Sequence, residues 1–148
     1  MFDEMDRINQ LRQQGFFCSQ IILMEGLEML GKRSPEAVRA MHPLANGLCG
    51  SGELCGALTG AAGLLGLYAG RGAPEEESDY RLDGMVLELV AWFKAQNLPR
   101  YGGIRCDEIL EGSPANRPAR CPALVLESLQ KAKELLVENG FDLSGLEA

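Results

Sequence analysis

Five cysteines are the side chains of this chain with the most distinctive chemistry: Cys18, Cys49, Cys55, Cys106 and Cys121. No two of them form a Cys-x-x-Cys pair, because the shortest interval, from Cys49 to Cys55, is six residues. This spacing disfavours a thioredoxin-type redox pair, a rubredoxin-like knuckle, a zinc ribbon and a bacterial ferredoxin run. If the cysteines act together, the tertiary structure must bring them to one place.

Four of the cysteines share a local context, since Cys18, Cys55, Cys106 and Cys121 each fall at or within the first turn of a predicted helix. Unpaired backbone N–H groups and the helix dipole at such positions favour the thiolate form of a cysteine. This placement indicates reactive or metal-binding sulfur. The alternative is that each of the four is a small buried hydrophobic residue. Cys49 differs, because it precedes a glycine-rich loop.

The single histidine, His42, is followed by Pro43 at the end of a predicted helix. This setting favours a surface or helix-end role over acid–base chemistry or metal binding. A cysteine hydrolase would require His42 beside a thiol, and no sequence feature places it there. The Gly102-Gly103 pair lacks the GxxxxGK[ST] and GxGxxG patterns, so a nucleotide-binding loop is weakly supported.

The stretch from Gly47 to Gly70 is the centre of the predicted fold, because it carries no charge after Glu53 and is rich in glycine. At 100° per residue, large apolar side chains gather on one face of a helix here and glycines gather on roughly the opposite third. A helix without a polar face is a buried one. We therefore predict a central helix over Glu53 to Ala69, with a glycine face that lets a neighbouring backbone approach closely.

Apolar periodicity and stop signals predict the remaining helices. The fold class that follows is all-α, a compact single-domain bundle of about five to seven helices around the buried central one. Glu75 to Glu77 are expected to lead into the helix at Leu82, and Glu111 to Arg120 is expected to be loop. The predicted helices are Phe2 to Leu11, Phe16 to Leu30, Pro35 to Met41 with Ser34 as its cap, Glu53 to Ala69, Leu82 to Asn97, Cys106 to Leu110, and Cys121 to Asn139 with a Glu127–Lys131 pair on its outer face.

Length and charge narrow the class of protein. The 148 residues suit one domain, 1–148, and their net charge of −7 argues against nucleic acid as a partner. The amino-terminal residues lack the cationic and apolar regions of a secretory signal, so a cytoplasmic location is expected. The uncharged run is too short for a membrane span. In a reducing compartment the cysteines are not expected to form a static disulfide framework.

The residues around the cysteines resemble the C_GCAxxG_C_C family, small prokaryotic proteins described as redox-active. The resemblance covers about residues 16–136, and its most specific part is Gly52-Glu53-Leu54-Cys55-Gly56-Ala57-Leu58-Thr59-Gly60. Further matches are Cys18-Ser19-Gln20, Cys106 to Gly112 and Cys121. The resemblance implies that Cys18, Cys55, Cys106 and Cys121 are the signature cysteines and that Gly56, Ala57 and Gly60 surround the second. Cys49 lies outside the pattern.

Three functions stay open at this point. In the first, the four signature cysteines are the catalytic residues of a thiol-based redox protein, a thiol oxidoreductase in chemistry, that cycles between thiol and disulfide. In the second, the same four bind zinc or an iron–sulfur cluster, whereas the first requires no cofactor. In the third, the chain is a helical interaction module with packed cysteines. A redox partner protein and a homodimer stay open as partners.

Overall fold

The polypeptide is helical through most of residues 3–145, the part that the computed structural model describes. Seven right-handed helices lie within these residues, and no strand accompanies them there, which confirms the predicted all-α class. Short 3₁₀ turns, His42–Leu44 and Pro114–Asn116, precede a left-handed turn and the last helix, respectively. The helices are α1 (Glu4–Gln13), α2 (Cys18–Met29), α3 (Pro35–Met41), α4 (Gly56–Ala69), α5 (Leu82–Tyr101), α6 (Cys106–Leu110) and α7 (Arg117–Glu138).

Helix α4 is the central element, because α2, α5 and α7 all pack against it. Leu58, Ala61 and Leu65 are buried, as the predicted apolar face requires, and Leu64 is buried beside them. Side chains from the surrounding helices complete the core, among them Ile21, Ile22, Leu89, Phe93, Leu129 and Leu136. A helix with apolar side chains on every face gains stability from contacts on every side, which is why it lies at the centre.

The predicted glycine face of α4 consists of Gly56, Gly60, Gly63, Gly66 and Gly70, and three of these five have close neighbours from outside the helix. A Cβ atom on Gly56 would lie 2.3 Å from the Cys18 sulfur, and one on Gly60 would lie 2.9 Å from the Ser19 Cα of α2. A Cβ on Gly63 would lie 2.8 Å from the end of the Met41 side chain. Gly66, by contrast, has open space around it. Close approach by α2 therefore explains the first part of the glycine face and not the last.

Ser34 caps α3 as predicted. Its hydroxyl accepts a hydrogen bond from the Ala37 N–H at 3.2 Å, and Pro35 occupies the first position of the helix. The predicted start of α1 at Phe2 lies outside the described residues, within which α1 begins at Glu4. No helix within residues 3–145 has both the length and the apolar character that crossing a membrane requires.

Several predicted helix boundaries are wrong, because contacts elsewhere in the fold, or hydrogen bonds of the helix itself, override the local sequence pattern. Helix α4 begins at Gly56 and not at Glu53, since residues 53–55 are extended. Helix α5 passes through Pro99 and ends at Tyr101, where Gly102 adopts φ +76° and its N–H donates to the Leu98 carbonyl. A proline this close to a helix end removes only one hydrogen bond.

One expected loop is confirmed, and one predicted electrostatic contact is absent from the described structure. Glu75 to Glu77 lie in the loop that leads to Leu82, and Asp83 is the acid in the first turn of α5. Glu127 pairs across to Arg100 of α5 at 2.9 Å instead of pairing with Lys131 along α7. An arginine that can bond both carboxylate oxygens competes well with a lysine one turn away.

Candidate functional site

Cys18 lies in the first turn of α2, as predicted, but it is the first residue of that helix, which begins two residues later than the predicted Phe16. Its surroundings are set by the close packing of α2 on α4. The side-chain oxygen of Gln20 accepts from the Phe17 N–H at 3.2 Å and caps the helix start. The buried Ser19 hydroxyl donates to the Met41 carbonyl at 2.7 Å, which ties α2 to α3. Because Gly56 has no side chain, the Cys18 sulfur can lie directly against the start of α4.

Cys55 and Cys106 are positioned by a short antiparallel bridge between two extended segments, one at each end of the bridge. Leu54 pairs with Arg105 in this bridge. The Cys55 N–H donates to the Ile104 carbonyl at 3.1 Å, and the Cys106 N–H donates to the Glu53 carbonyl at 2.6 Å. One residue beyond the bridge, each of the two segments continues into a helix. Cys55 is the N-terminal cap of α4, and Cys106 is the first residue of α6.

Cys121 comes from the second turn of α7, because α7 begins at Arg117 and not at Cys121 as predicted. Pro118 is accommodated in the first turn, where a backbone N–H has no helical partner to lose. Arg120 fixes the position of this part of α7, since its guanidinium donates to the Ile109 carbonyl of α6 and pairs with Glu111 at 2.8 Å. Cys121 thus lies on a different helix from the other three signature cysteines.

A left-handed turn completes the site, and the sequence reading missed it. Five consecutive residues, 46–50, have positive φ values, from +54° at Cys49 to +89° at Gly50. The Asn46 backbone lies near the Cys18 sulfur and acts to lower the pKa of that thiol. A Cβ atom on Gly47 would lie 2.6 Å from the Cys106 Cβ. The Asn46-Gly47 pair was the available signal, because both residue types tolerate left-handed backbone.

The four signature cysteines line one small cavity of about 20 Å³, together with Asn46 and Arg117. This space is enough for about one water-sized group. Cys55 is buried, and Cys18, Cys106 and Cys121 are half-buried. Cys49 is exposed and does not line this cavity, although it lies only three residues beyond Asn46. The fold therefore brings together Cys18, Cys55, Cys106 and Cys121, and leaves Cys49 apart.

A second, larger cavity of about 240 Å³ adjoins the first, because Cys18, Asn46, Arg117 and Cys121 line both. Arg12 of α1 contributes a second cationic side chain to its wall. Cys55 and Cys106 do not line it. Cys18 and Cys121 are thus the two signature cysteines that a molecule in this cavity would meet first.

Burial, and not the helix dipole, controls the protonation of these thiols. Desolvation raises the pKa of Cys121 to about 11 and also raises the pKa of Cys18 and of Cys55. Backbone N–H groups of Asn46 and Ser19 act in the opposite direction on Cys18 but are outweighed. The expectation that helix starts would stabilise thiolates is therefore wrong at these three positions, because removing a charge from water costs more than the dipole returns.

Positive charge near the sulfurs partly offsets the effect of burial on the pKa of these thiols. The Arg117 guanidinium lowers the pKa of both Cys18 and Cys121, and Arg12 lowers that of Cys121. Negative charge on one sulfur would raise the pKa of another, as Cys18 does for Cys121 and for Cys55. Ionisation of Cys18 is therefore coupled to that of Cys55 and of Cys121.

A metal ion does not fit the side chains as they are placed. Within residues 3–145, no group of three or more cysteine, histidine or acidic side chains has an arrangement that could hold a metal ion. Four thiolates around zinc or iron would require distances of about 2.3 Å from each sulfur to the metal. The four cysteines share a cavity wall without converging on one such point.

His42 is exposed and lies at the end of α3, where its ring stacks on Phe17 at 5.3 Å between centroids. It lines a cavity of about 530 Å³ between the ends of α1, α2 and α3. No cysteine lines that cavity, although Arg7, Lys32, Arg33 and Arg39 do. The predicted surface role of His42 agrees with this position, and His42 lines neither of the two cavities that contain cysteines.

A family model described as "Putative redox-active protein (C_GCAxxG_C_C)" matches residues 16–135, most of the chain. The chain belongs to the C_GCAxxG_C_C family. A general redox role accompanies this membership, and all four cysteines that line the small cavity lie within the matched range. Comparisons with curated proteins and with solved structures returned no match.

Arg12 and Arg117 are the site residues that sequence reasoning left out altogether. Arg117 stood in a segment predicted to be loop, and Arg12 was one of several polar residues on an amphipathic helix. Nothing in the local pattern distinguishes them from other surface arginines. Only the packing of α1 and α7 around Cys18 places them beside sulfur.

Proposed function

We propose that this member of the C_GCAxxG_C_C family is a thiol-based redox protein in which signature cysteines cycle between thiol and disulfide. The observation that carries the proposal is the small shared cavity, into which four different elements each deliver one cysteine. Packing alone gives no reason for four weakly polar, oxidisable side chains to line one small cavity when leucine or alanine would fill the space. Convergence of this kind is what thiol–disulfide exchange requires.

In this proposal Cys18 and Cys121 react with the external oxidant, because both also line the larger cavity. Cys18 loses its proton to solvent, and its thiolate attacks one sulfur of a disulfide R–S–S–R. The bond between the two R sulfurs breaks, a mixed disulfide forms, and the first RS⁻ leaves and takes up a proton. Cys121, after losing its own proton, then displaces the second RS⁻ and forms the Cys18–Cys121 disulfide.

The reaction is balanced: two cysteine thiols supply two electrons, and one disulfide becomes two thiols. Cys55 and Cys106 are assigned to an inner pair that exchanges with the outer one. This assignment follows from their position at the two ends of the backbone bridge and from the electrostatic coupling of each to Cys18. The raised pKa values of Cys18 and Cys121 keep these outer thiols protonated at neutral pH, which protects them from uncontrolled oxidation.

Titration with the neutral disulfide 2,2′-dithiodipyridine tests the proposal. The Cys49→Ser variant is used as the reference, because Cys49 is exposed and would react independently. With limiting reagent, we expect two thiopyridone molecules released per disulfide consumed, two thiols lost, and a Cys18–Cys121 cross-link in peptide mapping. A reductant should then restore both thiols without a change in helical content.

Release of only one thiopyridone, with a stable adduct on the protein, would contradict internal disulfide formation. Cys18→Ala in the same background should abolish the cross-link, and Cys121→Ala should trap the mixed disulfide on Cys18. Circular dichroism and urea unfolding of both variants verify that the fold persists. Full cross-linking without Cys18 would remove it from the reaction.

The zinc or iron–sulfur alternative has its own measurement. Metal analysis and visible absorption of protein purified anaerobically would reveal a bound metal, and one metal centre per chain would replace the redox proposal by a metal site whose ligands rearrange on binding. The interaction-module alternative predicts instead that Cys18→Ala changes only stability. Formation of the Cys18–Cys121 cross-link therefore distinguishes the redox proposal from the interaction-module alternative.

A further inference from the structure

The larger cavity beside Cys18 and Cys121 is cationic, although the protein as a whole has a net charge of −7. Its charged lining residues are Arg12 and Arg117, and no aspartate or glutamate lines it. Two positive side chains in one small cavity repel each other unless an anion lies between or near them. Their presence next to the sulfurs therefore calls for an explanation.

Neither arginine forms an ion pair with a carboxylate among residues 3–145. Arg12 donates only to the Asn9 side-chain oxygen, at 3.4 Å, and Arg117 opens α7 without a side-chain hydrogen bond. Other arginines of the described chain pair closely, such as Arg7 with Glu25 at 2.9 Å. Guanidinium groups that keep their donors free are available to bind a carboxylate or another planar anion.

Apart from Asn46 and the two thiols, the rest of the cavity wall is apolar. Phe16, Ile21, Pro122 and Val125 line it, so the cavity combines a hydrophobic surface with two cationic groups. A volume of about 240 Å³ is below the usual range for drug-sized ligands. The complementary molecule is small, has an apolar body and carries at least one negative charge.

We propose that this cavity binds a small disulfide that carries carboxylate groups, with its anionic end on Arg12 and Arg117 and its sulfur towards Cys18. The inference rests on the proposed function, because it names the class of oxidant for the same exchange reaction. The two arginines hold the substrate and also sit beside the departing RS⁻ and the attacking thiolate. They are positioning residues for the sulfur chemistry, which Cys18 and Cys121 carry out with the atom balance given above.

The test compares two probes that differ in charge. One is 5,5′-dithiobis(2-nitrobenzoate), an aromatic disulfide with two carboxylates, and the other is the neutral 2,2′-dithiodipyridine. The measured quantity is the ratio of their second-order rate constants with Cys49→Ser protein at one pH and one salt concentration. Any general change in thiol reactivity caused by loss of an arginine affects both rate constants and therefore cancels in the ratio.

Arg12→Gln combined with Arg117→Gln should lower this ratio about tenfold, the lower end of the range for charge-steered association. Arg12→Lys combined with Arg117→Lys should retain most of it, because the charge remains. Arg39→Gln serves as the matched control, since Arg39 lines the separate cavity near His42 and should leave the ratio unchanged. Added salt should reduce the ratio for the reference protein and not for the double Gln variant.

An unchanged ratio in the double Gln variant, with normal reaction of the neutral probe, would overturn the anion site and leave the proposed function intact. An equal fall in Arg39→Gln would also overturn it, since the effect would then come from overall charge. Failure of the reference protein to form an internal disulfide with the neutral probe would contradict the proposed function itself. The two hypotheses are thereby tested separately.

Discussion

Gly56→Ala is the substitution that tests most directly how the fold positions Cys18. Gly56 is the first residue of α4, and an added Cβ would lie 2.3 Å from the Cys18 sulfur and 3.2 Å from the Ala45 Cα. Nonbonded heavy atoms prefer separations of about 3.5 to 4.0 Å, so the sulfur would have to move by more than about 1 Å. The substitution should therefore displace the reactive group as well as destabilise the protein.

The expected loss of stability follows from two opposing terms. Overpacking a tight contact costs about 1 to 3 kcal/mol. Replacing glycine by alanine in a helix interior gains at most about 1 kcal/mol, and less at the first helical position. We expect a net decrease of about 1 to 2 kcal/mol in the unfolding free energy.

Gly66→Ala is the matched control, because Gly66 lies in the same helix and has nothing within 4 Å of an added Cβ. It should gain up to about 1 kcal/mol from helix propensity alone. Urea unfolding under reducing conditions measures both variants. Cys18→Ala removes the clashing sulfur, so Gly56→Ala should cost less in that background, with a coupling of about 1 kcal/mol or more.

Mass-spectrometric measurement of alkylation at Cys18 supplies a second readout. Displacement of the sulfur from the Gly56 contact should change its rate of labelling in Gly56→Ala and not in Gly66→Ala. Equal stability of the two variants, or additivity of Gly56→Ala with Cys18→Ala, would refute the argument that this glycine makes room for the sulfur.

Three further outcomes follow from the same geometry. Gly60→Ala should cost about 2 to 3 kcal/mol in urea unfolding, more than Gly56→Ala, because its Cβ would lie 2.9 Å from the Ser19 Cα, and a helix backbone yields less than a thiol. Asn46→Ala should lower the unfolding free energy by about 1 kcal/mol because residue 46 has φ +56°, whereas Asn46→Gly should be nearly neutral. The pKa of Cys121 is raised from 9.0 to about 11, so the folded state retains this proton longer than the unfolded state and stability is lost as pH rises through that window. Urea unfolding between pH 8 and 11 should show a decrease of about 1 to 2 kcal/mol in the free energy of unfolding, and Cys121→Ala should make this decrease smaller. The range lies below the full value for such a shift because the thiol is only half-buried.

Local sequence was sufficient for most of the helices. Pro35 after Ser34 specifies a capped start through backbone geometry that involves only adjacent residues. The uncharged, glycine-rich run identified α4 as the central helix, because a helix without a polar face is stable only when it is buried on all sides. The same run predicted close packing, which Gly56 and Gly60 display.

Helix boundaries that depend on residues far away in the sequence could not be predicted from local patterns. Residues 53–55 are extended because Ile104 accepts a backbone hydrogen bond from Cys55 and Cys106 donates one to Glu53, and those partners lie about fifty residues away in the chain. The start of α7 at Arg117 is likewise held by the bond from Arg120 to the Ile109 carbonyl. Propensity near a proline favours a loop, but tertiary hydrogen bonds outweighed it.

The sequence by itself determined that four cysteines stand near the starts of helices, and Cys18, Cys55 and Cys106 occupy such starts in the fold. Only the tertiary structure decided their protonation and their surroundings. The helix dipole acts through neighbouring peptide groups, whereas desolvation depends on every element packed around the sulfur, and desolvation is the larger effect at Cys18 and Cys121. The arginines beside these thiols come from opposite ends of the chain, so their electrostatic role arises only when the helices pack together.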